Sequence, residues 1–311
     1  MLLLASNSLP DNNNWLYELK LDGYRTIALK SGDKVQLRSR NNKDFTTRYS
    51  AIAEALQKLP DETVIDGEVV ALDETGRPSF NVLQNFASST QPIYFYVFDL
   101  LMLAGRDVRS LPLIERRELL QTKVLTKLNE PIRYSPQLEA SLPDLISSVR
   151  DQHFEGLVAK RKDSLYESGQ RSGAWLKMRV NQGQEFVIGG YTPGPKNFDA
   201  LIFGYYEGKR LIYVARCRNG LTPALRAQLF KRLSGLEIAE CPFANLPEAK
   251  SGRWGVGLTA AKMRECRWLK PVLVAQVEFA EWTPDDHLRH AKFVGLREDK
   301  MARDVVREVI D

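Results

Sequence analysis

Glu18-Leu19-Lys20-Leu21-Asp22-Gly23-Tyr24-Arg25 is the stretch on which the reading of this chain turns. Side chains alternate on an extended strand, so Glu18, Lys20 and Asp22 point to one face. Lys20 then stands between two carboxylates near a strand end, with Gly23 permitting a tight turn and Arg25 beyond it. In isolation a surface strand with alternating charges reads the same way. Residues 15–21 alternate apolar and polar as a half-buried strand does, and the pattern resumes over 26–30. Ser31-Gly32-Asp33 is a hairpin turn before a strand over 34–38, and apolar positions at helical spacing over 49–59 stop at Pro60. Residues 64–65, 68–72, 93–103 and 156–160 read as strands, that over 93–103 buried on both faces. Residues 112–120 and 142–150 read as helices.

The texture changes after Arg179. Asn181-Gln182-Gly183-Gln184 is polar enough for a hinge. Strands follow over 185–191, 201–206, 211–217, 272–282 and 292–296, with one helix over 223–233. Many short strands around one helix suit a small Greek-key barrel of the oligonucleotide-binding type. The length, 311 residues, suits two domains, placed at 1–183 and 184–311.

Apolar residues at 43% and charged residues at 27% are those of a soluble globular protein. The start lacks a basic region followed by a long apolar run, so no signal peptide is expected. The most apolar stretch is short and carries Asp99, which argues against a membrane span. Three widely spaced cysteines, without a C-x-x-C pair, argue against a disulfide framework or a zinc site. A cytoplasmic monomer is expected. The net charge of +5 is modest; the first 183 residues carry 24 basic and 23 acidic residues, the remainder 20 and 16. The second half is therefore the more basic face for a polyanion.

Further segments keep company with the first. Lys20 to Arg25 fits K-x-D-G-x-R. Ser39-Arg40-Asn41, Asp66-Gly67-Glu68, Tyr96-Val97-Phe98-Asp99, Glu155-Gly156-Leu157-Val158-Ala159-Lys160, Trp175-Leu176-Lys177-Met178-Arg179 and Arg297-Glu298-Asp299-Lys300 follow in order. In these segments the chain resembles the covalent nucleotidyltransferases, the ATP-dependent DNA ligases with RNA ligases and capping enzymes. Phe186 to Tyr191 and Val277 to Trp282 narrow the resemblance to the ligase domain of bacterial ligase D. The chain has no length for the polymerase and nuclease modules often fused to that domain. Arg179 departs from the family's usual second lysine, exchanging a mobile point charge for a planar fork.

The resemblance implies an α+β nucleotidyltransferase (adenylation) domain of antiparallel sheets and helices, then an OB-fold barrel that swings between steps. It implies ATP as cofactor with Mg²⁺ or Mn²⁺, nicked duplex DNA as partner, and a Ku-like end-binding protein as a second partner. Lys20 is the implied nucleophile, forming lysyl-AMP. An amine attacks only when unprotonated, so cations are expected to crowd Lys20. Lys177, Arg179 and Lys160 are implied on the α-phosphate, and Glu155, Glu68 and Asp22 at the metal, Glu68 also serving the ribose. Phe98 is the implied adenine platform and Glu18 an adenine contact. Arg25, Ser39 and Arg40 are implied at the nick phosphate or nucleotide sugar, and Arg297 and Lys300, with Arg289 a weaker candidate, at the leaving pyrophosphate. RNA ligase or capping chemistry, and a non-catalytic DNA-binding protein on the same scaffold, are the alternatives. Residues 249–267, rich in Gly, Lys and Arg, read equally as a DNA-contacting loop and as an ordinary surface loop. Gly189 to Gly194 has P-loop glycine spacing but Pro195 where that motif needs lysine.

Overall fold

The alternation around Tyr24 is realised as a strand in which Tyr24, Thr26, Ala28 and Lys30 are buried. The computed structural model describes residues 1–84, 86, 91–152, 154–180, 183–248 and 257–308. The chain divides into two units, Met1–Asn181 and Gln182–Glu308. In the first, chain order is β1 (Leu4–Ala5), β2 (Trp15–Leu19), β3 (Tyr24–Ser31), β4 (Lys34–Ser39), α1 (Ser50–Ala55), β5 (Thr63–Ala71), α2 (Phe80–Gln84) and β6 (Ile93–Leu103). Then come β7 (Arg106–Asp107), α3 (Leu113–Leu119), β8 (Ile132–Tyr134), α4 (Leu142–Asp151), β9 (Gly156–Arg161) and β10 (Trp175–Arg179).

These strands make two sheets. One has the order β4-β3-β5-β6-β7, with β8 also on β6, and the other the order β1-β10-β9-β2. Tyr24, Ala28, Ile65, Val69, Phe95 and Val97 line one face of the first sheet, packed with Phe45, Tyr49 and Ile52. Tyr17, Leu157, Ala159 and Met178 line one face of the second, against Leu142, Leu145 and Val149 of α4. Ser141 caps α4, its hydroxyl accepting from the Asp144 N–H at 3.3 Å. The other face of the second sheet mixes charged side chains with a smaller apolar cluster of Leu16, Phe98 and Trp175.

Several elements differ from the sequence reading. The two segments at 64–65 and 68–72 are one continuous strand, because Asp66 and Gly67 stay in register with Ile27 and Thr26. The helix over 49–59 is α-helical only through Ala55 and tightens into a 3₁₀ turn, Leu56–Lys58. That over 112–120 runs on through a π turn, Leu120–Val124. Of the hinge segment 181–184, residues 181–182 lie outside the described residues. Gly183 and Gln184 already belong to a strand, paired with Glu278 and Val277.

The second unit contains β11 (Gly183–Pro193), β12 (Phe198–Glu207), β13 (Arg210–Cys217), α5 (Pro223–Leu233), β14 (Glu237–Ile238), α6 (Ala260–Met263), β15 (Arg267–Glu278), β16 (Glu281–Trp282), β17 (Leu288–Arg289) and β18 (Lys292–Leu296). Its sheet order is β13-β12-β11-β15-β14, with β18 also on β15 and β16 paired with β17. A bridge from Asn219, beyond β13, to Lys292 curls the sheet back on itself. Register shifts between Ile188 and Gly190 let β11 bend around a core of Phe186, Ile202, Tyr213 and Phe293. Of residues 249–267, 249–256 lie outside the described residues. Among the described residues no helix is long and apolar enough to cross a membrane.

Three glycines follow an acid in the quoted motifs, and each sits where strands approach closely. A Cβ on Gly67 would lie 2.6 Å from the Tyr96 carbonyl oxygen, and one on Gly23 or Gly156 would overlap the carbonyl of Val69 or Met178. Gly67→Ala and Gly156→Ala should each cost about 1–3 kcal/mol by overpacking, read as a lower urea midpoint. Gly235→Ala, where nothing lies within 4 Å of the added carbon, should leave the midpoint nearly unchanged.

Candidate active site

Register assembles the site. β9 lies between β2 and β10, and residues opposite one another across strands share a face. Leu16, Lys160 and Trp175 form one row, and Glu18, Val158 and Lys177 the next. Lys20 follows β2, its N–H donating to the Gly156 carbonyl at 2.9 Å, and Gly156 pairs with Arg179 across β10. Successive rows are two residues apart, about 7 Å along the strands.

The row at Lys20 is an ion cluster. Lys20 Nζ donates to Glu155 Oε2 at 2.6 Å, and Arg179 Nε donates to Oε1 at 3.0 Å. Burial would raise the Glu155 carboxyl, but the charges of Lys20 and Arg179 outweigh it and hold the group below the usual carboxylate range. Cations were expected to crowd Lys20; its immediate partner is instead an anion that Arg179 shares. One carboxylate with two oxygens in reach satisfies both cations together.

The Glu18 carboxylate of the next row is saturated from within, in part from the row beyond it. Lys160 Nζ donates to both Glu18 oxygens, at 3.0 and 2.9 Å, Ser135 Oγ to Oε2 at 3.1 Å, and Arg117 Nη1 to Oε1. Arg117 also donates to the carbonyls of Phe98, at 3.2 Å, and Ser135, at 2.9 Å. Glu18, expected at adenine, and Lys160, expected on a phosphate, are therefore bound to each other in a buried wall. Burial lowers the Lys160 ammonium pKa while Glu18 opposes that shift. Its Nζ stands 4.1 Å from the Phe98 ring centroid and 4.4 Å from that of Trp175.

Phe98 owes its placement to a β-bulge. Asp66 pairs with Asp99 and Gly67 with Val97, so Phe98 is the extra residue of β6, and a bulge re-aims its side chain. The ring meets Trp175 edge to face, centroids 6.0 Å apart. On the sheet that carries Phe98, Arg25, Glu68 and Tyr96 form a row. Arg25 clasps Asp66 through Nε at 3.1 Å and Nη2 at 2.6 Å, and the Tyr166 hydroxyl donates to the same carboxylate at 2.8 Å. Burial opposes the Arg25 charge, and Asp66 more than compensates, raising the guanidinium pKa above its ordinary value. Asp99 is held bidentately by Arg116 at 2.8 Å, both fully buried.

The remaining candidates are spread out. Ser39 turns inward, its Oγ accepting from the Lys43 N–H at 3.0 Å, and Arg40 follows it in the turn after β4. Asp22 is half-buried between β2 and β3. Among the described residues no group of three or more acids, histidines or cysteines gathers as a metal site, so Glu155, Glu68 and Asp22 form no preassembled cage. Arg297 and Lys300 belong to the second unit. Arg297 chelates Asp299 at 2.9 Å through two nitrogens, Lys300 meets Glu185 at 3.3 Å, and Arg289 meets Glu281 at 2.6 Å. Sequence reasoning gave no role to Asp66, Asp99, Arg116, Arg117, Ser135, Tyr166 or Trp175. The two acids and Trp175 stood inside quoted motifs; adjacent arginines in a helix carry no local sign of burial, yet both are buried.

Residues 6–179 match the family described as ATP dependent DNA ligase domain. The chain belongs to the ATP-dependent DNA ligase family. Residues 194–300 match the family's C terminal region. The chain is 35% identical over 308 residues to the multifunctional non-homologous end joining protein LigD of Pseudomonas aeruginosa, covering 96% of this chain and 35% of that protein. Identity to the LigD DNA repair protein of Mycobacterium tuberculosis is 35% over 302 residues, covering 95% of this chain and 38% of that one. The chain thus spans little more than a third of the length of these relatives. A solved structure of mycobacterial DNA ligase D complexed with ATP and MES matches with TM-score 0.68 at 32% identity, covering 98% of both chains. The ligase domain of M. tuberculosis LigD matches with TM-score 0.52 at 33% identity, covering 98% of this chain and 97% of that one. The ligase fold here is a nucleotidyltransferase unit followed by an OB-fold unit.

The saturated wall makes a test. Glu18→Gln should cost about 3–5 kcal/mol by leaving buried cations uncompensated, read by chemical denaturation. Adding Lys160→Met should recover part of that loss.

Proposed function

We propose that the protein is an ATP-dependent DNA ligase that seals a 5′-phosphate to a 3′-hydroxyl at a nick in duplex DNA. The observation that carries the reading is Lys20 held at one end of a sheet face with Glu155, Arg179 and Lys177, while Phe98 and Trp175 stand at the other. In this reading the Lys20 amine attacks the α-phosphorus of ATP and pyrophosphate departs, leaving AMP on Lys20 as a phosphoramidate. The AMP passes to the 5′-phosphate of the nick. The 3′-hydroxyl then attacks that phosphorus, closing the strand and releasing AMP.

Glu155 has two tasks in this sequence. It holds Lys20 toward the reacting phosphorus, and its carboxylate is the nearest acceptor for the proton the amine must lose. Lys177 and Arg179 supply fixed positive charge where the phosphoryl oxygens gather charge in the transition state. Phe98 offers an aromatic face to the base, and the Glu18–Lys160–Arg117 wall fixes the ring from behind. Arg25 and Arg40 are proposed to meet the nick phosphate, with Ser39 shaping the turn that carries Arg40. Arg297 and Lys300 are proposed to meet the pyrophosphate from the second domain.

Mg²⁺ commonly takes one or two carboxylates and completes its shell with water and substrate phosphates. Glu155, Glu68 and Asp22 suit that mode, in which a three-acid cage is not required. Such an ion supplies charge neutralisation at the phosphates. A role in DNA repair by end joining is supported by the identity to the two LigD proteins, and a Ku-like partner at the break is proposed with it.

Incubation with labelled ATP and Mg²⁺ should attach AMP to the protein, and a singly nicked duplex should then yield a joined strand on a denaturing gel. Lys20→Ala should abolish labelling, and a chelator should do the same. Labelling that persists on Lys20→Ala would remove the nucleophile assignment, and labelling by GTP alone would remove the ligase reading. Sealing should weaken steeply with salt, as phosphate-driven binding does.

A further inference from the structure

Tyr166 lies in the segment between β9 and β10, outside every quoted motif, yet it reaches the other sheet. Its hydroxyl donates to Asp66 Oδ2 at 2.8 Å and stands 3.4 Å from Arg25 Nη2. Its ring packs edge to face against Trp175, centroids 6.0 Å apart. The segment itself is pinned: the Tyr166 N–H donates to the Arg109 carbonyl at 2.9 Å, and Arg116 donates to the Ser164 carbonyl at 2.9 Å while holding Asp99.

This geometry constrains Arg25. Asp66 takes the guanidinium side-on through Nε and Nη2, which leaves Nη1 outside the pair. A carboxylate on a strand could still rock with its arginine about the shared hydrogen bonds. A phenol whose ring packs on Trp175 of the opposite sheet, whose segment is pinned at its backbone and whose hydroxyl is bonded to Oδ2 removes that freedom. Burial and the Asp66 charge raise the phenol pKa far above its ordinary value, so it remains a donor.

We propose that Tyr166 is a positioning residue that, through Asp66, presents the Nη1 edge of Arg25 to the 5′-phosphate of the strand end. The inference rests on the ligase reading above and adds to it a residue acting through another. A preset guanidinium fork loses less freedom on meeting a phosphate than a mobile one.

The test compares two steps in the full chain: labelling of the protein by ATP, and single-turnover sealing of a nicked duplex by protein already carrying AMP. Tyr166→Phe keeps the ring and deletes the hydroxyl. The sealing rate constant should fall about tenfold with labelling within about twofold of the parent, the size expected for one charge-assisted hydrogen bond. In an Arg25→Ala background the same change should cost nothing more, since its effect passes through Arg25. Unchanged sealing, equal loss in both steps, or losses that multiply with Arg25→Ala would each overturn the proposal. A parent protein that neither labels nor seals would defeat the ligase reading instead. Positioning is then judged from exchange of the Arg25 Nε–H by nuclear magnetic resonance, which Tyr166→Phe should accelerate; unchanged exchange would overturn it.

Discussion

A carboxylate can be buried only if fixed cations and donors replace the water it gives up, and Glu18 meets that condition in full. Two cations and a hydroxyl surround it. Without them the unpaired charge would cost several kcal/mol. Their arrangement ties three distant parts of the chain together, since Glu18 is on β2, Lys160 on β9 and Arg117 on α3. The Phe98 carbonyl is drawn into the same network through Arg117. The wall behind the site and the aromatic in front of it are therefore one construction.

A second acid–arginine layer runs parallel to it. Asp66 with Arg25 and Asp99 with Arg116 occupy neighbouring positions on β5 and β6, paired directly across the bulge that displaces Phe98. Such pairs hold geometry more than they add stability, because desolvation offsets much of their attraction. That suits a site face on which one lysine, one aromatic ring and several cations keep a fixed spacing.

Much of this was legible in the sequence, for physical reasons that differ by element. Strands with one buried face, such as 24–31, announce themselves by alternation, and the residues at Lys20, Glu155 and Lys177 by their ordered motifs. The two units and the barrel character of the second followed from strand spacing. Interactions between distant segments were not legible. Nothing local to Lys160 indicates that its charge is turned onto Glu18, and nothing in Arg116-Arg117 separates a buried pair from a solvated one. The bulge at Phe98 was equally hidden, since it arises from a mismatch between two strands.

The pairing of β9 between β2 and β10 also governs how such a chain can change. Its site face is Val158 and Lys160 and its core face Leu157 and Ala159, interleaved at single-residue spacing. One residue inserted or deleted there would exchange the two faces, placing an ammonium in the apolar layer and a leucine before Lys20. Substitutions can accumulate along this strand one at a time, whereas its length is fixed from both sides. Lineages descending from such a chain should vary in length at turns and loops and hold the count from Gly156 to Lys160 constant.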